Sequence, residues 1–264
     1  MTDAARDEAK PSHETRFRFL KIFNDASLRA YAGSKARVGD RCLPFFQGDS
    51  LSDSIVRELS AERAMPIKEV VESFEFFAVA RRYFRERTIV DLCCGHGLTG
   101  LLFAAFSKRA ERVVLWDRRR PDCFEGVWRA LLRAAPWIES KVEFIERPLE
   151  HARGTLPDDC AMLGLHACGR LTDDVLDLAM TARRPVAVMP CCRAHALSSA
   201  PAALRDALGG DLAYDIDRTY RLESAGFQVR WREIPSEITP MNRILLATPR
   251  AISTAGRASE ASVA

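Results

Sequence analysis

The chain has no apolar run approaching the length of a membrane span. Its amino-terminal stretch, MTDAARDEAKPSHETRFRF, lacks the apolar h-region of an export signal. Both absences predict a soluble, cytoplasmic protein with no membrane partner. A strong excess of one charge is missing too. The formal net charge of +3 permits nucleic acid as a partner without arguing for it. No internal repeat is visible. Cysteine is plentiful, at eight, yet no CxxC pair is present, and adjacent cysteines cannot both easily face one ion from a strand; no metal is expected. Cys93-Cys94 and Cys191-Cys192 stand side by side in apolar surroundings, where reduced, packed thiols are a better reading than disulfides.

What is present is organised around Thr88 to Gly100, TIVDLCCGHGLTG. Apolar residues lead into Asp91. Gly95, Gly97 and Gly100 then fall at GxGxxG spacing before the apolar run Leu101-Leu102-Phe103-Ala104-Ala105. That order reads as strand, tight turn, helix. Glycines let backbone turn sharply and approach a ligand, while a helix start aims unpaired N–H groups at the same place. An acidic residue, Asp117, ends a second apolar run, Val113-Val114-Leu115-Trp116, at the distance where a carboxylate accepts ribose hydroxyls. A nucleoside cofactor is one reading and a purely structural turn the other. Asp91 argues about which cofactor: a carboxylate in the loop repels a pyrophosphate but suits an amino-acid ammonium, so NAD(P) ranks second.

Residues 1–15 are polar and expected to be disordered, and the small, polar stretch 250–264 reads as a mobile tail. Residues 16–87 read as a helical N-terminal extension. Phe17, Phe19, Leu20 and Phe23 make an apolar stripe, a helix is expected from Leu51, and a longer one starts near Pro66 and runs through Tyr83. The segment ARRYFRER is read as a solvated helix face. From 88 to 249 strands and helices alternate, which predicts an α/β fold with a largely parallel sheet. Strands are expected at 88–93, 112–117, 141–146, 160–166, 185–190, 227–234 and 242–248, with helices at 98–108, 122–135, 172–182, 200–208 and 216–225. The last two strands are joined by too few residues for a helical crossover and are predicted to be antiparallel.

The pattern D-x-x-x-G-x-G, followed by an acid ending the second strand, resembles the class I S-adenosylmethionine-dependent methyltransferases. Four motifs, DLCCGHG, LHACGRLTD, MPCCRAH and ITPMNR, resemble one group of such domains, that of the glutathione-S-transferase C-terminal-domain-containing proteins. The resemblance covers roughly residues 65 to 248. It implies a Rossmann-like sheet closed by an antiparallel C-terminal hairpin, and S-adenosylmethionine held by Asp91, Cys93, Gly95, Gly97, Asp117, Arg118 and His166. Asp91 and the glycines would surround the methionine portion and Asp117 the ribose.

Three residues at neighbouring strand ends are catalytic candidates. His166 is either a general base or a cofactor-bonding side chain. Cys168 and Cys191 are either thiolates that add to a base or small packing groups. The motif Asn/Asp-Pro-Pro-aromatic of amino-methyltransferases is absent, which disfavours an exocyclic amine as acceptor. Asn242 and Arg243 either face the acceptor or belong to the hairpin turn. RNA is the slightly favoured acceptor. A small-molecule methyltransferase and a non-catalytic binding module are the alternatives, and an NAD(P)-binding oxidoreductase comes last.

Overall fold

Strands that are apolar along their whole length belong in the middle of a sheet covered on both faces. In the computed structural model of the protein, which describes residues 15–165, 167–190 and 200–251, β1 (Thr88–Leu92) and β4 (Cys160–Leu165) are buried at every position. They are adjacent in a seven-stranded sheet with β2 (Arg112–Asp117), β3 (Val142–Glu146), β5 (Val186–Met189), β6 (Phe227–Glu233) and β7 (Arg243–Pro249). The strand order is β3-β2-β1-β4-β5-β7-β6. Strands β1 to β5 pair in parallel, and β7 runs antiparallel to both β5 and β6. This is the mostly parallel sheet with the antiparallel closing hairpin that the alternation predicted. Because the order reverses between β1 and β4, the loops leaving them open side by side at one sheet edge, where such folds take their ligands.

Two cores lie on opposite faces of the sheet, as the period of two dictates. Ile89, Val113, Leu115 and Leu163 pack toward α2 (Leu51–Ala61), α3 (Ile67–Ala80), α4 (Leu98–Phe106) and α5 (Asp122–Ala134). Val90, Leu92, Val114 and Met162 pack toward α6 (Leu171–Ala182) and α8 (Gly210–Ser224). Among the described residues no helix is long and apolar enough to cross a membrane. The expected helix at 216–225 begins earlier, at Gly210. Gly209, at φ 78, ends α7 (Ala202–Leu208), and Ala213 and Tyr214 bury the extra turn.

The amino-terminal segment departs from its expected form. The stripe Phe17, Phe19, Leu20 and Phe23 is not an α-helix: Phe23 alone sits in a 3-10 turn, Lys21–Asn24, and α1 (Ala26–Arg29) is only four residues long. Phe17, Leu20 and Phe23 are nevertheless buried, because the chain is strapped across α3. The Glu75 carboxylate accepts the backbone N–H groups of Arg18 (2.7 Å), Phe19 (2.9 Å) and Leu20 (3.1 Å). Aromatic contacts continue the strap, with Phe19 against Phe74 and Phe106, and Phe77 edge-on to Phe103 at 4.9 Å. Glu75→Ala is expected to lower stability by about 3 kcal/mol or more, since three N–H groups lose a charged acceptor worth roughly 1–3 kcal/mol each. The check is a lower urea midpoint with an unchanged slope, partly restored in Glu75→Gln; an unmoved midpoint would remove the strap from the account of the fold. The expectations for 1–15 and 250–264 lie outside the described residues, apart from Thr15, Arg250 and Ala251.

Candidate functional site

The loop after β1 keeps the sheet ladder for one more residue, Cys94 N–H donating to the Trp116 carbonyl at 3.1 Å, and then turns back, Gly97 N–H donating to the Cys94 carbonyl at 2.8 Å. Three residues there take the left-handed conformation: Cys93 (φ 56), Gly95 (φ 52) and Gly97 (φ 73). A side chain on Gly95 would meet nothing within 4 Å, whereas one on Gly97 would meet Leu115 at 3.1 Å and Phe124 at 3.2 Å. The two glycines therefore serve different ends. Gly95 leaves an open backbone face, and Gly97 lets α4 start tight against β2.

Asp117 ends β2 and accepts the Gly95 N–H at 2.9 Å, so the acid and the glycine loop form one unit. Both line a cavity of about 1210 Å³ at the sheet edge. Its walls are Cys93 to His96 of the loop, Trp116 and Asp117 of β2 with Arg118 just after it, Pro148 to Glu150 and Arg153 after β3, and Cys168, Arg170 and Leu171 after β4. Asp174, Asp177 and Leu178 of α6 close one side, and Glu69 of α3 contributes to another.

Asp91 is not among these lining residues. It is 1% exposed and lies beneath the loop, its Oδ2 accepting the Gly100 N–H inside the first turn of α4 at 2.9 Å. Oδ1 has no hydrogen-bond partner among the described residues. Burial pushes its carboxyl up to about 7, against the opposing pull of the Gly100 N–H and with the Asp117 charge adding to the rise. Asp91 thus stands beneath the glycine loop and not among the residues that line the cavity. Strand alternation turns it to the face of Ile89, under α4.

The other expected residues divide. Cys93, Gly95, Asp117, Arg118 and Cys168 line the cavity, and Gly97 stands behind it. His166 and Cys191 lie outside the described residues. Burial, followed by the Asp117 charge, raises the Cys93 thiol to about 12, and burial holds Cys94 well above its ordinary value. Both stay protonated at neutral pH and are poor nucleophiles. Asn242 and Arg243 belong to the hairpin: Asn242 Nδ2 donates to the Ile234 carbonyl at 2.7 Å and Arg243 Nε to Asp215 Oδ2 at 2.8 Å. Neither lines the cavity. Among the described residues no group of three His, Cys, Asp or Glu side chains is placed to hold a metal.

Two cavity residues were not anticipated. His96 Nδ1 accepts the Leu98 N–H at 3.1 Å, which puts the ring proton on Nε2, and Nε2 lies 3.8 Å from Glu69 Oε2. Burial raises the Glu69 carboxyl, with Lys68 and Arg37 opposing. Glu69 belongs to a helix assigned to an extension, yet a signal was present. Glu69, Glu72 and Glu75 recur every third residue, and so share one face, in a helix whose other residues are apolar apart from Lys68 and Ser73. Burial raises all three carboxyls, Glu72 to about 7.

The α6 wall is itself anchored. Arg218 of α8, 8% exposed in its side chain, bridges Asp173 at 2.9 Å and Asp215 at 3.4 Å. Arg221 holds Asp173 at 2.9 Å and pairs with Asp177.

A family described as a methyltransferase domain matches residues 66–199. A glutathione S-transferase C-terminal domain-containing protein of Xenopus laevis is 31% identical over 105 residues, a match spanning 40% of this chain and 16% of that protein. Among solved structures, the methyltransferase domain of bacterial CtHen1-C is similar at 17% identity and a TM-score of 0.45, over 66% of this chain and 95% of that one. The fibrillarin pre-rRNA processing protein of Methanococcus jannaschii is similar at 13% identity and a TM-score of 0.45, over 64% of this chain and 69% of that one.

Proposed function

We propose a reaction for this chain from a plain premise: it belongs to a family of methyltransferase domains, whose model matches residues 66–199. S-adenosylmethionine is the usual donor of the class I fold, and the reading here is that it binds in the cavity at the β1 edge. The observation that carries it is the pairing of an open backbone face at Gly95 with the Asp117 carboxylate beside it. A nucleoside with an amino-acid tail needs both: a carboxylate for two ribose hydroxyls and bare backbone for close approach of the tail. Cys93, Gly95 and Asp117 are the cofactor contacts in this reading, with Arg118 at the rim beside them. Gly97 and Asp91 shape the loop from behind and below.

When bound, the donor supplies a methyl group already activated on a sulfonium. The chain's own work is then alignment, exclusion of water and removal of a proton where the acceptor carries one. Glu69 is suited to the last task, since burial raises its affinity for a proton and it faces the same cavity as the glycine loop. Cys168 lies at the rim after β4, where the acceptor would enter. RNA is favoured as the acceptor over a small molecule.

Calorimetry of the full chain with S-adenosylhomocysteine, and separately with NAD, tests the reading. Saturable binding of the first and no heat from the second is expected. Binding of NAD with indifference to S-adenosylhomocysteine would replace a methyltransferase by a nicotinamide-binding protein.

A further inference from the structure

Among the described residues most arginines are occupied. Arg112 pairs with Glu143, Arg129 and Arg133 with Glu62, Arg184 with Asp158, and Arg218 with Asp173. Even Arg120, in the run Arg118-Arg119-Arg120, is taken. Its guanidinium lies 4.7 Å from the Phe144 ring centre and 5.2 Å from that of Phe124, and it pairs with Glu125 at 3.3 Å. Four arginines at the cavity edge differ. Arg118 and Arg119 follow β2, Arg147 follows β3, and Arg153 follows the 3-10 turn Leu149–Ala152. All four are exposed. None of their side chains has a described ion pair or hydrogen bond, and none stacks on a ring.

The two loops carrying them are joined, since Arg147 N–H donates to the Asp117 carbonyl at 2.8 Å. Arg118 and Arg153 line the cavity itself, while Arg119 and Arg147 extend the same lip beyond it. Glu146 and Glu150 share these loops but are outnumbered. A guanidinium with its fork unpaired presents donors that match phosphate oxygens two at a time. Spread over two loops, four of them suit a succession of phosphates better than one anion.

We propose that this lip, Arg118, Arg119, Arg147 and Arg153, docks the phosphodiester backbone of a nucleic acid acceptor against the mouth of the cofactor cavity. The inference rests on the methyltransferase reading and gives its acceptor a chemical class. Phosphate contacts of this kind fix orientation and carry no base specificity. The lip therefore positions a strand, and the residues facing the cavity choose the nucleotide.

The probe is a fluorescein-labelled oligoribonucleotide about twenty nucleotides long, with the same sequence in DNA, followed by anisotropy with the full chain across a salt series. Single-strand binding should weaken with salt at a log–log slope of about −0.7 per phosphate contacted. R119Q/R147Q is expected to make that slope shallower by about 1.4 and weaken binding at least about tenfold at low salt, for both polymers or for RNA alone. Arg109→Gln, another exposed arginine, should change neither. A native slope near zero, or a double variant that binds like the native chain, overturns the proposal. Folding is not at issue at exposed, unpaired positions, and a melting temperature checks it. If the chain binds S-adenosylhomocysteine but neither polymer, only this inference fails; if it does not bind S-adenosylhomocysteine, the methyltransferase reading fails whatever the polymers do.

Discussion

Asp117→Ala is expected to bind S-adenosylhomocysteine at least about 100-fold more weakly than the native chain, each ribose hydroxyl donated to a carboxylate being worth roughly 1.5–3 kcal/mol. A second loss compounds the first. Asp117 Oδ2 also holds the Gly95 N–H at 2.9 Å, so the alanine variant frees the loop whose open face is to receive the amino-acid tail. Asp117→Asn separates the two effects. Its amide oxygen can keep the Gly95 N–H and a neutral bond to one hydroxyl, while the other hydroxyl loses its acceptor, so affinity should fall by only about tenfold. Thermal unfolding of the ligand-free variants serves as the control, since one lost loop hydrogen bond costs about 1 kcal/mol. An alanine variant that binds within threefold of native would take Asp117 out of the cofactor site and with it the nucleoside reading of the cleft.

How much of this was legible beforehand varies with the range of the interaction that decides it. The glycine turn, the parallel strands and the closing hairpin follow from local rules of period and loop length, and they are where the chain pattern put them. Asp91 was half legible. Its identity and its place at the end of β1 were clear, and alternation along Ile89, Val90, Asp91 and Leu92 already set it on the face of Ile89. What alternation could not supply was that α4 returns over that face, which depends on the hand of the β–α connection. Phe17 to Phe23 were misjudged because burial there comes from a carboxylate 55 to 57 residues away, and no local period records such a contact. Arg118 to Arg120 show the same limit at the cavity. Three consecutive arginines look equivalent in the chain, and only packing against Phe124 and Phe144 removes Arg120 from the set that remains unpaired.

The place of Asp91 beneath the glycine loop decides what its charge does. The native chain should lose stability as the pH rises from 5 to 8, and Asp91→Asn should lose less. In the folded state the carboxyl titrates at about 7 rather than 3.8. Between those values the native state holds a proton that the unfolded chain has released, and stability therefore falls with rising pH. The rise to about 7 bounds the effect at about 4 kcal/mol. Glu72, raised by burial to about 7, adds a slope of the same sign, so the comparison with the asparagine variant isolates Asp91. Glu62, drawn down to about 2 by Arg129 and Arg133, is ionised in both states throughout this range and contributes no slope. Asparagine keeps an acceptor for the Gly100 N–H and removes only the charge. Urea unfolding of both chains at the two pH values is the measurement, and equal slopes would show that Asp91 does not titrate in the range. The same charge acts through the thin loop above it. A cationic sulfonium gains from an ionised Asp91 while the neutral sulfur of S-adenosylhomocysteine does not, so the affinity ratio of the two ligands should shift toward S-adenosylmethionine between pH 6 and 8. Asp91→Asn should flatten that shift. A ratio equally dependent on pH in both chains would leave Asp91 a helix-start support and nothing more.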